Sequence, residues 1–167
     1  YLRYRDGVLR ESGIYAKGKR NGTFTEYYQD GVTPRKETPM QQGKIDGTVK
    51  TYFRNGKIEA EKEYKQSVES GRERRFDSKT GEQIFESHYI DGKKAGEEWE
   101  IFEDASTLRS RIIRHYRNGK LDGSYRVEST RDGKPYITIE GQYTDGEKSG
   151  RWKQYNATDD TTHEWDE

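Results

Sequence analysis

Tyr116-Arg117-Asn118-Gly119-Lys120-Leu121-Asp122-Gly123 decides how this chain folds, because the chain repeats it. Close copies read Tyr15-Ala16-Lys17-Gly18-Lys19-Arg20-Asn21-Gly22 and Tyr89-Ile90-Asp91-Gly92-Lys93-Lys94-Ala95-Gly96. A fourth runs from Tyr143 to Gly150 with Glu147 in the Lys place. Two copies are degraded: Met40 to Gly47 has lost the Tyr, and Tyr64 to Gly71 has Ser67-Val68 for Gly-Lys. The closing glycines Gly22, Gly47, Gly71, Gly96, Gly123 and Gly150 are spaced by 25, 24, 25, 27 and 27 residues. A fixed period of that length is the mark of a stacked repeat.

A second turn alternates with the first, at Asp6-Gly7, Asp30-Gly31, Asn55-Gly56 and Asp132-Gly133, with a looser version at Lys79-Thr80-Gly81. Asp-Gly and Asn-Gly close two-residue hairpins because both residues accept positive φ. The intervening segments, such as Thr23 to Gln29 and Lys57 to Tyr64, are rich in Tyr, Thr, Ile, Val and Phe and have strand length. No helical periodicity competes. The expectation is an all-β fold: an elongated antiparallel meander of tandem β-hairpin repeats, about six repeats of 24–27 residues. The array spans 1–156, and an acidic tail or cap follows at 157–167.

Composition fits a fold with much surface and a thin core. Only 28% of the 167 residues are hydrophobic and 37% are charged, yet there are 13 Tyr, 5 Phe and 3 Trp. Aromatics would supply the burial. Residue two after the closing glycine is Phe24, Val49, Tyr125 and Trp152; residues five and six are often aromatic too. Positions two and six share a strand face and position five lies opposite, so rings fall on both faces. Most are expected to be cross-strand ladder residues. Net charge is zero, with 31 basic and 31 acidic residues, which removes the electrostatic case for a nucleic-acid partner. The first half carries a small positive excess and the second half a matching negative one. There is no Cys and no apolar run of membrane-spanning length. The chain begins at Tyr1 rather than Met, a start that export and processing or trimming would both produce, so the compartment stays open.

The octapeptide followed by an aromatic, alternating with Asn-Gly or Asp-Gly turns, resembles the MORN-repeat variant typified by the YwqK-type bacterial antitoxin repeats. Tyr15 to Gly31, Phe53 to Tyr64 and Tyr116 to Tyr125 carry the likeness best. It implies an array of β-hairpins that binds a protein or lies near a membrane, and the antitoxin label implies a partner protein that is neutralised.

Nothing in the sequence assembles a catalytic centre, and no cofactor motif occurs. His88 and His115 both stand directly before the motif Tyr, which makes them strand residues on one ladder; His163 is alone. Metal coordination needs three or four converging ligands. Glu61, Glu86 and Glu140 recur three residues before the motif Tyr. Paired carboxylates could serve a glycosidase, but in-register Glu facing Lys and Arg is ordinary surface pairing. The reading is a non-catalytic protein-binding module, with a membrane-associated or envelope scaffold as the rival. Arg72, Arg74 and Arg75 form the one tight basic cluster that could attach to anionic lipid.

Departures from the repeat mark candidate sites. Thr33 to Pro39 brings two prolines into a strand, which is expected to be irregular or at an edge. Ser67 and Met40 put the regularity of their turns in question. Glu103 to Thr107 replaces the Asp-Gly turn directly after Trp99, Ile101 and Phe102. Aromatics beside an irregular loop are the usual anchors of an interface. Trp99, Ile101, Phe102 and Asp104 are therefore the candidate binding residues, the other reading being that Trp99 is buried ladder packing.

Overall fold

The computed structural model describes residues 1–103, 109–131, 134–156 and 161–167, and every regular element in it is a β-strand. The strands are β1 (Leu2–Arg5), β2 (Val8–Ala16), β3 (Lys19–Tyr27), β4 (Pro34–Gln41), β5 (Lys44–Ile45), β6 (Gly47–Tyr52), β7 (Ile58–Lys65) and β8 (Val68–Phe76). They continue as β9 (Gln83–Ile90), β10 (Lys93–Lys94), β11 (Gly96–Glu103), β12 (Arg109–Arg117), β13 (Lys120–Arg131), β14 (Lys134–Thr144), β15 (Glu147–Asn156) and β16 (Thr161–Asp166). Sheet neighbours are chain neighbours and pair antiparallel, which is the expected meander of hairpins. Two compact units share the strands: one holds residues 1–83 and 89–92, the other 84–88 and 93–167.

The octapeptide explains itself in the turns. Asn118 (φ 53°) and Gly119 (φ 86°) both lie in the left-handed region, the conformation a two-residue hairpin turn requires. That conformation aims the glycine N–H at the turn before it. Gly119 N donates to Lys94 O at 2.8 Å, and Gly146 N to Leu121 O at 2.8 Å. In the first unit Gly43 N donates to Arg20 O at 2.8 Å and Gly92 N to Glu69 O at 2.9 Å. The degraded Ser67 copy keeps the same geometry. Gln66 and Ser67 take φ 52° and 70°, Ser67 N donates to Ile45 O at 2.7 Å, and Ile45 N returns a bond to Ser67 Oγ at 2.9 Å. The Met40 copy is regular too, with Gln42 and Gly43 at φ 51° and 88°. Left-handed φ costs a non-glycine residue about 1 kcal/mol, and the two Ser67 bonds offset it.

The closing glycine makes a bulge. Between the pairs Ile14↔Asn21 and Ser12↔Thr25, one residue of β2 faces three of β3. Gly22 takes φ 79° there, and all six closing glycines share a positive φ. The bulge sets the residue two before the motif Tyr opposite the residue two after the closing glycine: Lys62 faces Glu73, and Arg114 faces Tyr125. The contents of this pair are matched. An aromatic lies over a glycine at Phe24 on Gly13 and Trp152 on Gly141, where an added Cβ would come within 2.4 and 2.2 Å of the ring. A cation meets a carboxylate at Lys62 and Glu73, 3.1 Å apart.

Proline at position 39 is tolerated for the same reason. β4 is an interior strand, paired with both β3 and β6, and not an edge. Pro39 O accepts from Asp46 N at 3.0 Å, so the side of Pro39 that lacks an N–H faces the closing bulge, where the ladder is already interrupted.

All of the core but Ile113 lies on one face. Phe24, Val49, Phe85, Val127 and Trp152 are buried, and strand alternation puts all of them on the face of the motif Tyr. Glu11, Glu73, Glu98, Ser87, Ser110 and Ser129 are buried on that face as well. Tyr15, Phe24 and Tyr1 cluster at one end of the chain; Tyr125, Tyr143 and Trp152 cluster at the other, with ring centroids 5.3–5.7 Å apart. Between these clusters, glutamates occupy the aromatic place. Glu98 pairs with Arg114 at 2.8 Å and with Lys94, and accepts from Tyr116 OH. Glu73 pairs with Lys62 and Arg75 and accepts from Tyr89 OH at 3.0 Å. Burial works against the charge of Glu73, but bonds from Arg75 and Lys62 outweigh it and hold the carboxyl below its usual range. Beyond Tyr155, β16 pairs along β15, and Trp165 stacks on Trp152 at 6.2 Å.

Candidate binding surface

The second face of the sheet carries a row of alternating charge. It runs Glu37↔Lys50↔Glu61↔Arg74 across the first unit. In the second it runs Glu86↔Trp99↔Ile113↔Arg126↔Glu140↔Lys153↔Glu164. Every member but Glu164 is three residues from the closing glycine or from the motif Tyr, whose place Met40 takes for Glu37. Ion pairs form along it, Arg74 to Glu61 at 2.8 Å, Lys50 to Glu61 at 3.6 Å and Lys153 to Glu164 at 3.5 Å. The recurring Glu61 and Glu140 are thereby used in the surface pairing that opposite charges on adjacent strands give.

Trp99 and Ile113 interrupt this row. They stand opposite each other where the pattern calls for a cation and an anion. Ile113, at 6% exposure, is the one buried residue on this face among the described residues. Trp99 is half-buried, and the Arg111 guanidinium sits 4.5 Å from its ring centroid. Ile101 faces Arg111 across the hairpin and shares the Trp99 face. Together these four make an apolar, arginine-topped patch beside the charged row.

Of the expected site residues, Trp99 and Ile101 are brought together. Phe102 is exposed but points from the opposite face, opposite Ser110. A partner seated on Trp99 reaches Phe102 only around the hairpin tip. Asp104 and the loop through Thr107 lie outside the described residues. Ile113 and Arg111 belong to the patch and escaped the sequence reading, although the run of Glu and Lys or Arg at the equivalent places was visible.

His115, Ser124 and Glu97 deserve comparison with a catalytic triad. Ser124 Oγ lies 3.0 Å from His115 Nδ1, and Glu97 lies 3.7 Å from Nε2. The same Nδ1 is 3.2 Å from Ser124 O, and only a protonated nitrogen bonds a carbonyl. It then has no lone pair to take the serine proton. His88 makes the equivalent bond to Glu97 O at 3.3 Å with no serine present. Both imidazoles are therefore strand residues that tie the closing bulge. No group of three metal-binding side chains converges among the described residues. The Arg72, Arg74 and Arg75 cluster splits between faces and is paired throughout, with Glu63, Glu61 and Glu73.

Residues 45–66 match the MORN repeat variant. The matched stretch begins in β5, takes in the β6–β7 hairpin and ends at the first residue of the turn to β8. MORN repeats are generally non-enzymatic modules that bind proteins or membranes. No curated protein matches the chain.

Proposed function

We propose that this chain is a non-catalytic protein-binding module whose contact surface centres on Trp99, Ile101, Ile113 and Arg111, and that it neutralises the protein it binds. The observation that carries the first part is the break in the alternating-charge row. A row of solvated ion pairs contributes little to stability, and it offers a partner nothing apolar to bury. At Trp99 and Ile113 it gives way to two apolar side chains with Arg111 over the tryptophan ring, and tryptophan and arginine are the residues that most often dominate interface energy. The neutralising role rests on the antitoxin-type repeats that the octapeptide resembles.

Affinity capture on the immobilised chain, read by mass spectrometry, tests the surface. A partner should be captured by the wild type and lost with Trp99→Ala or Arg111→Ala, while Phe102→Ala on the other face retains it. An identical set of proteins on wild type and Trp99→Ala would dispose of this surface. Co-expression with the captured partner tests neutralisation: its effect on growth should be relieved by the wild type and not by Trp99→Ala.

A further inference from the structure

The first unit has a cleft of about 840 Å3 whose lining includes Arg3, Arg5, Arg10, Arg35 and Arg54 together with Tyr4, Tyr27 and Tyr28. Five guanidinium groups meet two carboxylates there, Asp6 and Glu26. The cleft has the size of a ligand site, and it is polar and positive in a chain of zero net charge.

Two bulges aim arginines into it. Arg3 pairs with Glu11 and Tyr4 with Leu9, which leaves Arg10 as the extra residue of β2. Glu26 pairs with Lys36 and Tyr27 with Pro34, which leaves Arg35 as the extra residue of β4. A bulge re-aims the side chain it carries. The same bulge recurs at Glu59 in β7 and Thr138 in β14, so the backbone device belongs to the repeat while the paired arginines belong to this end of the chain.

Tyr28 is the fixed centre. Its hydroxyl donates to Tyr52 O at 2.5 Å, and its carbonyl accepts from Gly31 N at 3.0 Å. Arg10 Nη1 donates to that same carbonyl at 3.3 Å, and Arg54 lies 5.6 Å from the Tyr28 ring centroid. Arg35 is paired with Glu26, Arg3 with Glu11, and Arg5 loosely with Asp6 at 3.8 Å. Neither Arg10 nor Arg54 has a carboxylate within ion-pair distance among the described residues, and Arg10 Nε is buried with no partner. Arg10 is thus held in place without a carboxylate partner, and Arg54, beside the Tyr28 ring, feels the charge of Asp30 without forming an ion pair with it.

We infer that this cleft binds an extended acidic segment of a protein, with Arg10 and Arg54 taking its carboxylates and Tyr4, Tyr27 and Tyr28 supplying the walls. Arginine offers a planar fork that matches a carboxylate with two parallel bonds. Tyrosine and arginine together are the composition of protein interfaces. A nucleic-acid strand would need a basic track continuing beyond the cleft, and the next basic cluster, Arg72 to Arg75, is neutralised on both faces. The inference rests on the protein-binding reading but uses a different surface from the Trp99 patch.

Fluorescein-labelled octaglutamate, followed by anisotropy on the full chain, tests it. Binding should be saturable, weaken as salt rises from ~50 to ~300 mM, and be absent for octaglutamine. Arg10→Gln with Arg54→Gln should weaken it at least about tenfold, with unfolding midpoints checked for each variant; Arg151→Gln, an exposed cation of the second unit, should leave it unchanged. No octaglutamate binding at ~1 mM, equal binding by the double variant, or stronger competition by inorganic phosphate or phosphatidylserine vesicles than by unlabelled octaglutamate would overturn the inference. A partner captured through Trp99 but indifferent to Arg10→Gln and Arg54→Gln would overturn it while leaving the protein-binding reading intact.

Discussion

Gly141→Ala should destabilise the protein, against the ordinary direction of that change in a strand. Glycine in a strand interior normally costs about 0.5–1 kcal/mol relative to alanine, because the unfolded chain has more freedom to lose. Gly141 does not have the positive φ that would reserve the place for glycine. The obstacle is steric alone. An added Cβ would stand 2.2 Å from Trp152 Cδ2, 2.4 Å from Cε2 and 2.6 Å from Cε3, flat against the indole. Ordinary contact begins at 3.4 Å, so ring and strand must part by roughly 1 Å, enough to forfeit a quarter to a half of each contact across the gap. The ring cannot give freely. It is 2% exposed, with Tyr125 and Tyr143 at 5.6 and 5.3 Å, Trp165 at 6.2 Å and Lys148 Nζ 4.6 Å from its centroid. Overpacking of that kind costs about 1–3 kcal/mol, so the net expectation is a loss of about 1–2 kcal/mol once the backbone gain is subtracted. Urea unfolding followed by far-UV circular dichroism reads it. The decisive comparison is a double-mutant cycle with Trp152→Leu: with the indole gone, Gly141→Ala should turn neutral or stabilising. An equal loss in both backgrounds would show that glycine is needed for another reason, and the pairing of small against large across the bulge would be an accident.

Three further outcomes follow from the polar layers and the turns. Arg114→Leu with Lys94→Met strips both cations from buried Glu98 and should cost about 3 kcal/mol or more, most of it recovered by adding Glu98→Leu; no recovery in the triple variant would contradict the pairing. Burial, and after it the bond to Glu37 at 2.6 Å, pushes the Tyr52 hydroxyl up from 10.0 to about 12. The fold therefore favours its neutral form, and that contribution is complete below pH 10.0 and lost as pH rises toward about 12. Tyr52→Phe should flatten the fall of the unfolding midpoint across that interval. Gly119→Val forces a β-branched residue to φ 86° and should cost more than about 1 kcal/mol by thermal unfolding.

The strand order and the turns were legible because the octapeptide is local: six glycines in register report a backbone conformation that no side chain alters. The apolar places at Phe24, Val49, Tyr125 and Trp152 were legible for the same reason. Glu73 and Glu98 were not read as core, though they occupy the same place after Gly71 and Gly96, because hydropathy ranks a glutamate as surface until its cross-strand cation is known. The Trp99 patch was half legible. Trp99 stood out as an aromatic, but Ile113 acquires its meaning from the register of β11 against β12. The arginine cleft was invisible for a stronger reason. Residues 3, 5, 10, 35 and 54 form no cluster along the chain, whereas Arg72 to Arg75, which do, are sent to both faces by strand alternation and neutralised there.

The bonds from one glycine turn to the next treat the two margins of the sheet differently. Along the octapeptide margin every link has two residues, from Lys17-Gly18 to Asp145-Gly146, and successive links are stitched backbone to backbone. Along the other margin the described links range from Asp6-Gly7 to the six residues 28–33, and among the described residues bonds between neighbouring links, such as Asn55 Nδ2 to Ser78 O at 3.0 Å, come from side chains. One margin is a binding and the other is cut like the teeth of a key. Residues inserted, deleted or recoded on the cut margin leave the backbone stitching of the other margin in place, so loops there can vary while the scaffold stays whole. The arginine cleft draws Asp6, Tyr28, Gln29 and Arg54 from those cut links.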